Sequence, residues 1–158
     1  MTNKPLPDGA IELVELIYQE QQIIVSTLQT CIHEGLDRQN FRLVKLLLPR
    51  VKTRAEAIKA TCRRIQRFAD GPKRRGRLPK WVEVVLEITA LADRVIQCVD
   101  LAGAEVESNR WVTIDHLLRN RCRDFNQRIG EGVSAIVPGY MLVERVEIPQ
   151  MFYEKNEG

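Results

Sequence analysis

The chain is predicted to be all-α, an up-down-up-down four-helix bundle followed by a short extended or β-like C-terminal tail. Three observations predict this. Four segments repeat their apolar residues at steps of three and four, the period of an α-helix. Each segment is roughly 26 to 30 residues long, which makes the bundle about 40 Å tall at the α-helical rise. Only short connections separate the segments, and short connections favour antiparallel neighbours. The bundle domain is placed at residues 1–137 and the tail at 138–158.

The first helix runs from about Asp8, a candidate N-cap, to Gly35, a C-terminal stop. Its seam is Val14, Ile17, Ile24, Leu28 and Cys31. The second has the cleanest pattern, with Val44, Leu48, Val51, Ala55, Ile58, Cys62 and Ile65 alternating steps of four and three. Pro49 falls inside that seam without breaking its phase, which predicts one helix with a kink. The third helix opens at Pro79, a good first-turn residue, and carries Trp81, Val84, Ile88, Leu91, Val95, Cys98 and Ala102. Val82, Val85, Ala92, Ile96 and Val99 widen its apolar stripe, enough to predict that part of it faces another subunit.

The fourth helix is capped at Ser108 or Asn109 and ends at Pro138-Gly139. Its seam reads Trp111, Leu118, Cys122, Phe125, Ile129, Val133 and Ile136. Gly130-Glu131-Gly132 lies late in this helix and reads as close packing or fraying, not as a nucleotide site. In the tail, Leu142, Glu144 and Val146 alternate with Val143, Arg145 and Glu147, the pattern of a single strand. A lone strand is unstable, so it docks on its own bundle or pairs with another chain.

With 158 residues, 44% hydrophobic and 28% charged, the chain has the composition of one globular domain. No apolar run is long enough to cross a bilayer, and MTNKPLPDGA has no signal-peptide core. A cytoplasmic location is the resulting expectation. Cys31, Cys62, Cys98 and Cys122 show no close pairing and read as reduced, buried thiols. Cys31, His33, Cys98 and His116 share one pole of the predicted bundle, yet without the close ligand pairs of a structural zinc site. No metal and no cofactor is expected.

Catalytic signatures are also missing: there is no glycine-rich phosphate loop, GxSxG, HExxH or helix-borne ExxH set. Arg110 and His116 form an R-x5-H pattern that resembles the motif of the HEPN ribonucleases, with Trp111 where that family has a polar residue. The resemblance would imply RNA cleavage by Arg110 and His116 at a dimer interface. Six helical steps turn about 240°, so the two side chains share a site only if Arg110 stands outside the helix.

Charge is the strongest functional signal. The formal net charge is +3, but residues 63–80 alone sum to +7, leaving −4 elsewhere. The eight cations are Arg63, Arg64, Arg67, Lys73, Arg74, Arg75, Arg77 and Lys80, against the single acid Asp70. Arg63, Arg64 and Arg67 suit a helix C-terminus, where each gains about 0.3–1 kcal/mol from the helix dipole. Lys73 to Lys80 approach the positive end of the next helix, where the dipole disfavours them, so an anionic partner is expected to relieve the repulsion.

Arg75-Gly76-Arg77 with flanking Lys and Pro resembles the core of an AT-hook, broken by Leu78 before Pro79. What carries over is contact with phosphate. Arg119 and Arg123, one turn apart, form a second basic group. Aromatic interleaving is absent from the basic window: only Phe68 and Trp81 flank it, and both fit core positions, so backbone contact is expected rather than base stacking.

These observations predict a non-enzymatic accessory subunit that binds RNA or DNA backbone within a multi-subunit complex. In size, fold and charge it resembles the variability-determinant proteins that accompany some reverse transcriptases, and the helical small subunits of CRISPR effectors. The alternative is a protein–protein adaptor whose basic loop meets an acidic partner, and a HEPN-like ribonuclease is the third reading. Homo-oligomerisation fits each of them.

Overall fold

The computed structural model describes residues 6–69 and 79–137, and every regular element within them is helical. Helix α1 is α-helical over Asp8–Thr30 and continues as a wider π-wound stretch over Cys31–Leu36. Helix α2 spans Phe41–Gln66 and α3 spans Lys80–Glu107. Helix α4 is continuous through three parts: Trp111–His116, a second π-wound stretch at Leu117–Cys122, and Arg123–Ile136. The predicted tail strand lies outside the described residues, as do Lys73, Arg74, Arg75 and Arg77 of the basic loop.

The helix ends follow local chemistry. Pro7 takes the N-cap position of α1, which makes Asp8 the first helical residue and sets its carboxylate at the positive end of the dipole. Asn40 caps α2, its side-chain oxygen accepting from the Leu43 amide. Pro79 caps α3. The start expected at Ser108 or Asn109 is displaced: Ser108 closes α3, Asn109 adopts φ 55° and Arg110 caps α4. Asparagine is one of the few residues that enters this left-handed region readily. Pro49 does not interrupt α2.

The core matches the predicted seams closely. All seven residues of the α2 seam are buried, as are Val14, Ile17, Ile24, Leu28 and Cys31 of α1. On α3, Val82, Val85, Ala92 and Val99 are buried within this molecule and Ile96 is half-buried, so most of the second stripe is covered by this chain's own helices. Two helices grip α3, one on each stripe. Phe68, expected in the core beside Trp81, is 47% exposed and lies against Gly9, while Trp81 is buried. On α4 the seam runs through Ile114 and Asn126; Trp111 is half-buried and stacks on Phe41 at 3.7 Å, and Phe125 is half-buried beneath the Arg94 guanidinium. The glycines of α4 pack as expected, Gly130 against Gln21 and Gly132 against Ile88.

Helix α2 packs against α1 and α3, and α4 packs against α3 and α1. Lys45–Glu107, Lys52–Asp100 and Lys59–Asp93 form a ladder of ion pairs between α2 and α3, one number rising as the other falls. Arg54 reaches Glu20 across the α1–α2 seam, and Arg119 reaches Asp37 between α4 and the end of α1. Exposed pairs of this kind stabilise weakly, by roughly 0–1 kcal/mol each. No helix among the described residues is long and apolar enough to cross a membrane.

All four thiols are buried and free. Burial pushes Cys31 up to about 12 and Cys62 up to about 11, and it raises Cys98 and Cys122 as well. The unfolded chain gives up thiol protons near pH 8.5. Stability from these buried thiols is therefore complete below that pH and is lost as pH rises through the folded values. The urea midpoint is expected to fall between pH 8.5 and 11, and replacing Cys31 and Cys62 with alanine should flatten that fall. Native protein should resist thiol-specific reagents until it unfolds; rapid native labelling would contradict the burial.

Candidate functional site

The residues predicted to meet nucleic acid fall at two separate places. Arg63 and Arg64 lie in the last turn of α2, Arg67 is its C-cap and Lys80 is the first residue of α3. All four are exposed, and none forms an ion pair among the described residues. This contrasts with four of the six cations earlier in α2. Lys45, Lys52, Arg54 and Lys59 each reach a carboxylate on a neighbouring helix. Arg42 and Arg50, however, are exposed without an ion pair among the described residues, so what marks the end of α2 is the clustering of three unpaired cations, Arg63, Arg64 and Arg67, within five residues. Helix dipole accounts for Arg63 and Arg64, whereas Lys80 sits at a positive helix end that disfavours it.

Arg119 and Arg123 lie far from this pole. Arg119 is bound to Asp37, at the opposite end of α2, a helix of 26 residues and so about 39 Å long. Its Nε and Nη2 donate to Asp115 Oδ1 at 3.1 and 2.9 Å, and Nη2 also donates to Asp37 Oδ1 at 2.7 Å. The Arg119 hydrogen bond holds the Asp37 carboxyl below its usual range, with His33 contributing. Arg119 is likewise raised, chiefly by Asp115. It is therefore not a free cation like Arg63.

Arg123, one turn on, is exposed and carries no ion pair among the described residues. Both arginines line a groove of about 540 Å³ between α1 and α4, with Gln21, Val25, Leu28, Gln29, His33, Asn126 and Gln127. The floor is an unusual polar crosslink. Gln21 Nε2 donates to the Asn126 carbonyl and Asn126 Nδ2 donates to the Gln21 carbonyl, both at 3.2 Å. Gln21 is 4% exposed and Asn126 1%, and Asn126 Oδ1 has no hydrogen-bond partner.

This groove was legible only in part. Gln21 interrupts the run Ile17, Ile24, Leu28, and Asn126 interrupts Cys122, Ile129, Val133; each occupies a seam position with a polar residue. Polar residues in register with a core stripe were the available signal.

A second depression, of about 370 Å³, lies between α2 and α3 over Pro49 and Gly103. Its charges, Lys45, Lys52, Asp100 and Glu107, are already paired with one another. Arg110 does stand outside the helix, as the ribonuclease-like pattern requires, but its guanidinium faces Glu105 at 3.5 Å. His116 shares a hydrogen bond with Asn120, and no hydrogen bond joins Arg110 to His116. Among the described residues no three of His, Cys, Asp and Glu are grouped to hold a metal ion. Comparison with protein-family models, curated proteins and solved structures finds no match to this chain.

Proposed function

We propose that the chain is an up-down-up-down bundle that acts as a non-enzymatic nucleic-acid-binding subunit of a larger assembly. Its α2–α3 pole meets the phosphate backbone of RNA or DNA. The opposed numbering of the α2–α3 ion pairs, and of the Gly35–Val44 and Glu20–Arg54 contacts between α1 and α2, supports the topology.

The observation that carries the function is the uncompensated charge of Arg63, Arg64, Arg67 and Lys80. These side chains bracket the segment that supplies Lys73, Arg74, Arg75 and Arg77. Mutual repulsion among eight clustered cations is relieved by a polyanion, and counterion release from its phosphates adds to the affinity. With Phe68 the one exposed aromatic beside them among the described residues, binding is expected to be salt-dependent and weakly selective in sequence.

Fluorescence anisotropy with labelled single-stranded RNA and duplex DNA at low salt tests this reading. Binding that weakens steeply with added salt is the expected result, and no binding to either polymer would overturn it. An adaptor reading then takes its place, with an acidic peptide as ligand.

A further inference from the structure

We propose that the groove between α1 and α4 binds a small phosphorylated metabolite of the nucleotide class, at a site separate from the basic pole. The two sites lie at opposite ends of the molecule, so this inference does not depend on nucleic-acid binding. Four features of the groove converge on that ligand.

The first is anion recognition with preset geometry. Arg119 is clamped through Nε and Nη2 by Asp115 and Asp37, which leaves Nη1 unengaged among the described residues. Arg123 stands beside it on the same face without a carboxylate partner. Asp115 and Asp37 offset the charge of Arg119, so it supplies directed N–H donors while Arg123 supplies the uncompensated charge; together they match a phosphate, because planar N–H forks suit its oxygens.

The second is room for more than an oxyanion. A volume of about 540 Å³ falls within the range of small-molecule sites and far exceeds what inorganic phosphate fills. Half-buried Val25 supplies an apolar contact for a ring, with Leu28 buried behind it, and the Gln29 and Gln127 amides each offer a donor and an acceptor.

The third is the orphaned acceptor. Asn126 lines the groove, is 1% exposed and has an unpartnered Oδ1. Leaving a buried acceptor unmatched costs about 1–3 kcal/mol; this oxygen is itself closed to solvent, so a ligand N–H or O–H would recover that cost only with a turn of the Asn126 side chain toward the groove.

The fourth is the backbone. Each helix walling the groove carries a π-wound stretch, Cys31–Leu36 in α1 and Leu117–Cys122 in α4. Such widened turns recur at functional sites. Here His33 comes from the first and Arg119 from the second.

The test is amide-resolved NMR with adenosine 5′-monophosphate, and with adenosine and inorganic phosphate as separate probes. Adenosine monophosphate is expected to shift groove resonances around Gln29 and Gln127 at millimolar concentration or below. Either half alone should bind at least about tenfold more weakly. Arg123→Gln is exposed and should leave the fold intact while weakening binding about tenfold; Gln29→Ala should weaken it less. A serine variant of Lys73, Arg74, Arg75 and Arg77 should bind the nucleotide as the parent does. No shift with the nucleotide, equal binding of phosphate alone, or an Arg123→Gln protein that binds unchanged would each overturn the proposal.

Discussion

Replacing Lys73, Arg74, Arg75 and Arg77 with serine is expected to lower affinity for RNA or DNA about a hundredfold near physiological salt. Each cation that neutralises a phosphate releases condensed counterions, giving a slope of about 0.7–0.9 in log affinity against log salt per contact. Four lost contacts should therefore reduce the slope by about three. The affinity and the slope must change together, since both report the same contacts. A variant that loses affinity at unchanged slope would have lost something other than phosphate contacts.

A matched control comes from the same helix. Lys45 and Lys52 lie on α2 but are held by Glu107 and Asp100. Changing both to serine removes two positive charges from the molecule and should leave the salt slope nearly untouched. If the control variant weakens binding as much per charge as the loop variant, net charge rather than the basic pole drives binding. If the loop variant binds as the parent does, the proposed contact is wrong.

The helix faces were legible in the sequence because burial in a bundle follows the three-four period. Every seam residue of α2, from Val44 to Ile65, is buried for that reason. Where residues met others far along the chain, the period carried less information. Phe125 was expected at a seam position that Asn126 takes, because a helix with a π-wound turn shifts its face relative to an ideal count. Phe68 looked apolar and central, yet it follows the last helical turn of α2 and is exposed against Gly9. The clamp on Arg119 joins residues 82 apart, a separation that no local pattern encodes. The basic pole was visible as composition alone, and what the structure adds is that Arg63, Arg64, Arg67 and Lys80 are exposed and form no ion pair among the described residues.

Gly35→Ala is expected to destabilise the protein by about 1 kcal/mol, within the π-wound stretch that ends α1. A Cβ on Gly35 would stand 2.7 Å from Val44 Cγ2, closer than side-chain atoms pack, and Val44 is fully buried with no free volume to enter. The backbone cannot easily retreat. Asn40 donates its amide to the Gly35 carbonyl at 2.7 Å, Asp37 donates to Ile32 at 2.8 Å, and Gln39 is already held at φ 56°. Overpacking costs about 1–3 kcal/mol, against which alanine's better helix propensity returns only about 1.

The cost should appear as a loss of several degrees in Tm. Val44→Ala removes the obstructing methyl groups, so the double variant should be less destabilised than the sum of the two single changes, with a coupling of about 1 kcal/mol. Additive behaviour would mean that the clash is not the cause. The same turn carries Asp37, which clamps Arg119. Gly35→Ala should therefore also weaken nucleotide binding in the α1–α4 groove, and adding Val44→Ala should recover part of that binding.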